Sequence, residues 1–241
     1  MKSMHFAASS APDADPESRA AHEAFLMRLR RPENEIGSAV PVSVVLVRTD
    51  DVAVAITSVT AFTTGVALTV AVRMRVPPAG LDRPGDLYRL VSLYPQPDVP
   101  LDRRLLFGVE YADGRAATNL SDDFGSPAPS ADEPMLAPTG GGGDEFSVDH
   151  AYFLSPVPPD GPLAFVCSWP VCGIPETRHV VEHLELTTAS ARSTILWPRQ
   201  PAIDAPPPPP KRELPTTGWF AQAARPVDIE SGDPSKEVPQ T

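Results

Sequence analysis

The chain has 241 residues, and its 31 acidic against 20 basic side chains give a formal net charge of −11. This acidity argues against nucleic-acid binding, which depends on clustered Lys and Arg. Only two cysteines are present, and the first residues contain no apolar core typical of a secretory signal. We therefore expect a cytoplasmic protein without a disulfide framework.

The distribution of proline and polar residues divides the chain into three parts. Residues 1–36 form a flexible extension rich in Ala, Ser and Glu, residues 37–198 form the predicted folded domain, and residues 199–241 form a Pro-rich tail. The middle part is long enough to bury a sizeable core. We expect the two ends to be disordered, because they contain too few apolar residues to fold alone.

A short helix is predicted over residues 17–31 of the extension. Its acidic side chains come early and its arginines late, as the helix dipole favours. Phe25 and Leu29 are four residues apart and therefore share one side of the helix. This helix either frays in solution or docks its apolar side, and in the second case Phe25 and Leu29 are the expected contacts with a partner.

The uncharged run from Val52 to Val72 has two competing interpretations. It is long enough for a membrane-spanning helix. However, β-branched Val and Thr dominate it, apolar and small or polar residues alternate, and a Thr-Thr-Gly turn at 63–65 divides it. We therefore predict strands over Val42–Arg48, Val52–Ala61 and Val66–Val76, and no membrane span.

Further apolar runs between Pro and Gly clusters predict the remaining elements. Strands are expected over Leu87–Tyr94, Leu105–Tyr111, Arg115–Leu120, Phe146–Leu154 and Leu163–Trp169. A final strand is expected over Glu176–His183, followed by a short helix over Leu184–Ser193. The Asp113-Gly114 dipeptide favours a hairpin turn, the glycine-rich stretch 121–143 is expected to be a loop, and the two strands flanking residues 155–162 are expected to pair. About eight strands with few helices predict an all-β fold, a β-sandwich with a short peripheral helix.

Several short sequence pieces lie within and between these predicted strands. In chain order they are Arg48–Val54, Gly140–Gly143, Tyr152–Leu163, Trp169-Pro170 and Gly173–Thr177. In the order of these pieces the chain resembles an uncharacterised family of bacterial proteins from GC-rich genomes. The resemblance implies a shared domain over about residues 40–198, and it carries over no activity and no catalytic residue.

One motif resembles a metal site. His179, Glu182 and His183 match H-x-x-E-H, the signature of inverted zinc peptidases. On a helix the two imidazoles would meet one ion, with the Glu as general base. On a strand they would lie about 13 Å apart, at about 3.3 Å per residue, which is too far for one ion. Because a strand is predicted, we expect surface histidines, and a metal-dependent hydrolase is the alternative function.

The two cysteines suggest a second metal set. Cys167 and Cys172 are separated by four residues, unlike the C-x-x-C pairs of zinc ribbons and redox sites. Together with His179 and His183 they offer two sulfurs and two nitrogens. Buried cysteines that act as small apolar side chains are the favoured interpretation. We therefore assign no metal, no cofactor and no catalytic residue.

The tail contains three features. Pro206–Pro210 favours a polyproline II rod, which is either a stiff spacer or a ligand for a Pro-binding domain. Leu214–Gly218 matches the LPxTG cell-wall sorting signal, but no apolar segment and basic end follow it, so we treat the match as chance. Trp219 and Phe220 are costly to leave in water, so they either pack back on the domain or anchor a partner.

These observations predict a non-enzymatic β-sandwich protein that acts as a protein-binding or structural module. Its expected contacts with an unknown protein partner are Phe25 and Leu29 of the helix and Trp219 and Phe220 of the tail. No nucleic-acid and no membrane partner is expected.

Overall fold

The computed structural model describes residues 24–76, 86–91, 99–120, 130–199 and 217–223. The strands are β1 (Glu35–Ile36), β2 (Ser38–Val40), β3 (Val44–Arg48), β4 (Val52–Phe62), β5 (Gly65–Met74), β6 (Leu106–Glu110), β7 (Ala116–Thr118), β8 (Met135–Gly143), β9 (Ser147–Ser155), β10 (Gly161–Trp169), β11 (Ile174–Leu184) and β12 (Thr194–Ile195). The helices are α1 (residues 24–28), α2 (Asp86–Val91), α3 (Leu186–Ala191) and α4 (Gly218–Ala223).

Two antiparallel sheets face each other across one apolar core. The six-stranded sheet has the order β2-β4-β5-β9-β8 with β3 also paired to β4, and the four-stranded sheet has the order β11-β10-β6-β7. Phe107 of β6 meets Tyr152 of β9 across the core, with ring centroids 5.5 Å apart. This arrangement confirms the predicted all-β sandwich.

The Val52–Val72 run forms the hairpin β4–β5, as its alternating pattern predicts. Val54, Ile56, Val70 and Val72 all point into the core and are fully buried. Among the residues that the structure describes, no helix is long and apolar enough to cross a membrane. The strand interpretation is therefore confirmed.

The predicted strand at Leu87–Tyr94 is wrong. Asp86–Val91 is helix α2, and its buried side chains Leu87, Leu90 and Val91 have the three- and four-residue spacing of a helix face. A short apolar run fits either structure, and here the core closes over a helix rather than over another strand. Residues 92–94 of the prediction lie outside the described residues.

The expectation of a loop over 121–143 fails for its second half. Met135–Gly143 is strand β8, whose glycines pair with β9, as in Gly141 opposite His150. A Cβ on Gly141 would lie 2.7 Å from the carbonyl oxygen of Asp149, so glycine permits the close approach that this pairing requires. Low strand propensity is overridden by the partner strand. Residues 121–129 lie outside the described part of the chain.

Two further predictions about strand order are also wrong. The strands that flank residues 155–162 do not pair, because β9 belongs to the six-stranded sheet and β10 to the four-stranded sheet. The intervening proline-rich turn carries the chain from one layer to the other. In addition, β11 is not the final strand, since the two-residue strand β12 follows it and pairs with β1.

Helix α1 lies against the end of β8. Phe25 and Leu29 are buried in a small cluster with Met135 and Ala137. The Arg28 guanidinium donates to the carbonyl oxygens of Ser130, at 2.7 Å, and Glu133. The chain's own strand therefore covers the apolar side of the helix. Residues 17–23 of the predicted helix lie outside the described residues.

Candidate functional site

The outer face of the four-stranded sheet combines apolar and charged groups. Phe107 and Val109 of β6 are buried in the core, so the alternating residues Leu106, Gly108 and Glu110 point outward. Strand pairing adds outward neighbours from β10 and β11. We call the resulting surface the outer face and define it by Leu106, Gly108, Glu110, Val166 and Arg178.

Trp219 of α4 lies on this outer face. Its ring packs against an apolar cluster formed by Leu106, Leu120 and Val166. A Cβ placed on Gly108 would lie 2.5 Å from Cζ3 of the indole, so the missing side chain of this glycine creates the space that the ring fills. The indole remains half-buried. Gly108 thus leaves a shallow depression on the sheet, which one aromatic ring fills.

Glu110 fixes the orientation of the indole. Its Oε2 accepts a 2.7 Å hydrogen bond from Nε1 of Trp219. The same carboxylate accepts two hydrogen bonds from Arg178, at 2.8 and 2.6 Å. This paired geometry is the strong form of an Arg–carboxylate contact. Glu110 therefore stands between a fixed cation on β11 and the aromatic ring.

The charge state of Glu110 follows from these contacts. The hydrogen bond from Arg178 holds the pKa of the Glu110 carboxyl below its usual value, and the indole of Trp219 acts in the same direction, while burial opposes both. The same pair raises the pKa of Arg178. At neutral pH the carboxylate is therefore charged, and it accepts the hydrogen bonds from both Arg178 and the indole.

A second carboxylate holds the backbone of the docked segment. Both oxygens of Glu176 accept from the backbone N–H of Trp219, at 3.2 and 3.0 Å. Gly218 has a φ of +82°, and a Cβ there would lie 2.8 Å from Oε2 of Glu176. Glycine is therefore required at the position before the tryptophan. The chain packs Trp219 back on its own domain, which is one of the two alternatives that its sequence leaves open.

The other predicted partner contacts have different surroundings. Phe25 and Leu29 are covered by β8, so partner binding through them stays a prediction that requires α1 to leave this strand. Phe220 follows Trp219 in α4, and its side chain lies outside the described residues. Within the tail that was expected to be disordered, residues 217–223 form a docked element.

The H-x-x-E-H motif does not have the geometry of a hydrolase. His179, Glu182 and His183 lie on β11, a strand, where an i and i+4 pair is about 13 Å apart. In the described ranges, no group of three or more His, Cys, Asp or Glu side chains could hold a metal ion. The helical arrangement that the hydrolase alternative needs is therefore not formed.

The two cysteines lie in different environments. Cys167 points into the core, where burial raises the pKa of its thiol and its sulfur lies 3.2 Å from Oγ1 of Thr177. Cys172 lies in a single 3-10 turn, Pro170–Cys172, and burial raises the pKa of its thiol to about 12. Both are free thiols with little thiolate at neutral pH, as apolar surroundings dictate.

A polar residue that the sequence pattern did not single out lies in the core. His150 of β9 is fully buried, and neither ring nitrogen has a hydrogen-bond partner. Its ring contacts Tyr152, with centroids 4.9 Å apart, and Tyr88 of α2, at 6.0 Å. Burial lowers the pKa of His150 from 6.5 to about 4. Its position in an alternating strand is the one sequence signal that could have placed it inward.

The chain is therefore an all-β sandwich whose outer face is contacted by Trp219 of its own tail. No protein-family model, no curated protein and no solved structure matches the chain. The resemblance to an uncharacterised bacterial family therefore stays a prediction.

Proposed function

We propose that this chain is a non-enzymatic, cytoplasmic protein-binding module whose outer face binds a peptide segment with a tryptophan. The observation that carries the proposal is the seating of Trp219 on Gly108 with its indole N–H on Glu110. The bound segment provides the template for the ligand: a glycine that turns the backbone, then an indole.

Two properties of the site and one of tryptophan itself support recognition rather than incidental packing. The ring is accepted by an apolar base with a bare glycine at its centre. The N–H is accepted by a carboxylate whose own position is fixed by two hydrogen bonds from Arg178. Tryptophan is also the side chain that most often dominates protein–protein binding energy, because it combines a large apolar surface with one donor.

Charge adds a further preference. Glu110 and Glu176 both accept hydrogen bonds from the docked segment, and the chain as a whole carries a net charge of −11. In the sequence, Lys211, Arg212 and Arg225 flank this segment. We expect partner segments with basic residues beside the tryptophan to bind faster, because complementary charge steers association.

The test is peptide binding to the full chain with the site vacated by Trp219→Ala. The probe is a fluorescein-labelled peptide with the sequence of residues 214–224, LPTTGWFAQAA, titrated by fluorescence anisotropy. We expect saturable binding that is lost when the peptide's tryptophan is replaced by alanine. Adding Gly108→Val to the protein should abolish binding, because the new side chain fills the space of the ring.

A matched control keeps the result specific to the site. Gly142→Ala introduces a methyl group at a glycine with nothing within 4 Å of the added atom, so this variant should bind like its parent. Absence of saturation up to about 1 mM peptide, which corresponds to a binding free energy weaker than about −4.1 kcal/mol, would contradict the proposal.

A further inference from the structure

We propose that residues 217–223 are a built-in competitor that keeps the binding site of the full chain closed until a stronger ligand displaces them. This inference rests on the proposed function of the outer face. It describes how binding at that site is regulated. With Trp219 docked, the chain has a lower affinity for a partner than it has with the site vacant, and partner binding releases Trp219.

The docked segment occupies the groups that a ligand would need. Gly108 is covered by the indole ring, one oxygen of Glu110 accepts from its N–H, and both oxygens of Glu176 accept from the backbone N–H. A second tryptophan cannot enter while Trp219 is seated. Binding of the two segments is therefore mutually exclusive.

The described part of this segment is short and depends on the sheet for its structure. Helix α4 has six residues, lies against β7, and places the ring of Trp219 on the sheet. A helix of this length is not stable alone in water, so it persists only while docked. The backbone hydrogen bonds to Glu176 are exposed, where water can replace them at low cost, whereas the indole hydrogen bond to Glu110 is partly buried.

Covalent connection gives the segment an advantage over a free ligand of equal strength. The tether between Arg199 and Thr217 is residues 200–216, which include the run Pro206–Pro210. A flexible connection that can span two binding points gives effective concentrations in the millimolar range. Against an intrinsic dissociation constant of about 0.1 mM, an effective concentration of about 1 mM would raise the apparent Kd about 10-fold.

The experiment uses full-length chains and the labelled 214–224 peptide. We compare the wild type with two variants that release the segment without changing the sheet. Trp219→Ala removes the ring, and Gly218→Val removes the left-handed backbone position and places a side chain against Glu176. Trp197→Ala is the matched control, because this tryptophan is exposed and lies outside the outer face. Circular dichroism and thermal unfolding verify that each chain is folded.

We expect both releasing variants to bind the peptide at least about 10-fold more tightly than the wild type and the Trp197→Ala control. Equal affinity of all four chains would overturn the competitor and leave the proposed function standing. No binding by any chain would overturn the proposed function and this inference with it. If one releasing variant fails to fold, the other decides the outcome.

Discussion

Replacement of His150 by leucine tests the energetics of the core most directly. In the wild type the imidazole is fully buried, and both of its nitrogens are without a hydrogen-bond partner. A buried polar atom left unsatisfied costs about 1–3 kcal/mol. Leucine removes both polar atoms and retains an apolar side chain of similar size beside Tyr88 and Tyr152. At pH 7 we therefore expect His150→Leu to be at least as stable as the wild type.

The pH dependence of the free energy of unfolding gives a more specific expected value than the comparison at pH 7. Burial lowers the pKa of His150 from 6.5 to about 4, and the rings that face it are those of Tyr88 and Tyr152. Above pH 6.5 the histidine is neutral in both the folded and the unfolded chain. As the pH falls from 6.5 to 4, the unfolded chain binds the proton first, so the free energy of unfolding decreases by about 3 kcal/mol in total.

The assay is urea unfolding of both proteins between pH 7 and pH 4.5, followed by circular dichroism. Carboxylates such as Glu110 titrate in both proteins, so their contribution cancels in the difference between wild type and variant. We expect the wild type to lose about 2–3 kcal/mol more than His150→Leu over this range. Parallel pH profiles would refute the assignment of His150 as a buried, unprotonated core residue.

Three further predictions concern other parts of the structure. Phe25→Ala should lower the free energy of unfolding by about 3 kcal/mol in a urea titration, because it empties the cluster between α1 and β8, and an unchanged midpoint would contradict that packing. Gly65→Ala should lower the melting temperature, since its Cβ would lie 2.5 Å from the carbonyl oxygen of Leu154, whereas Gly142→Ala should not; equal shifts would refute the close approach. Cys172, whose pKa burial raises to about 12, should resist iodoacetamide at pH 8 in the native protein and react in urea, and rapid native alkylation would argue against its burial.

The sequence predicts those parts of the fold where side-chain periodicity and turn residues agree. The β4–β5 hairpin can be predicted from the sequence, because β-branched residues alternate with small or polar residues on either side of Thr63-Thr64-Gly65. Helix α3 is also anticipated, within Leu184–Ser193. In each case the deciding interactions are local, between residues close in the chain.

The secondary-structure predictions are wrong where contacts between residues distant in the chain determine the structure. The run Leu87–Tyr94 is too short for its pattern to separate a helix from a strand, so packing against β9 determines the result. The glycines of β8 have low strand propensity, and only the neighbouring β9 makes them a strand. The assignment of β9 and β10 to different sheets depends on the layer into which the chain turns after Ser155, which no local pattern specifies.

The candidate site is predictable only in part for the same reason. Trp219 stands out in the sequence as an aromatic residue in a polar tail. The outer face that it contacts does not stand out in the sequence, because Gly108, Glu110 and Arg178 come together only through the pairing of β10 with β6 and β11. A glycine in an apolar strand carries no sign that an indole will cover it.

The most direct test of the central claim is an NMR titration of the ¹⁵N-labelled full chain with Trp219→Ala, using the unlabelled 214–224 peptide. We expect the largest amide shifts at Gly108, Glu110, Glu176 and Arg178, and no such shifts with the peptide in which alanine replaces the tryptophan. Shifts confined to other surfaces, such as α1, or identical shifts with both peptides would contradict the claim that the outer face is a tryptophan-binding site.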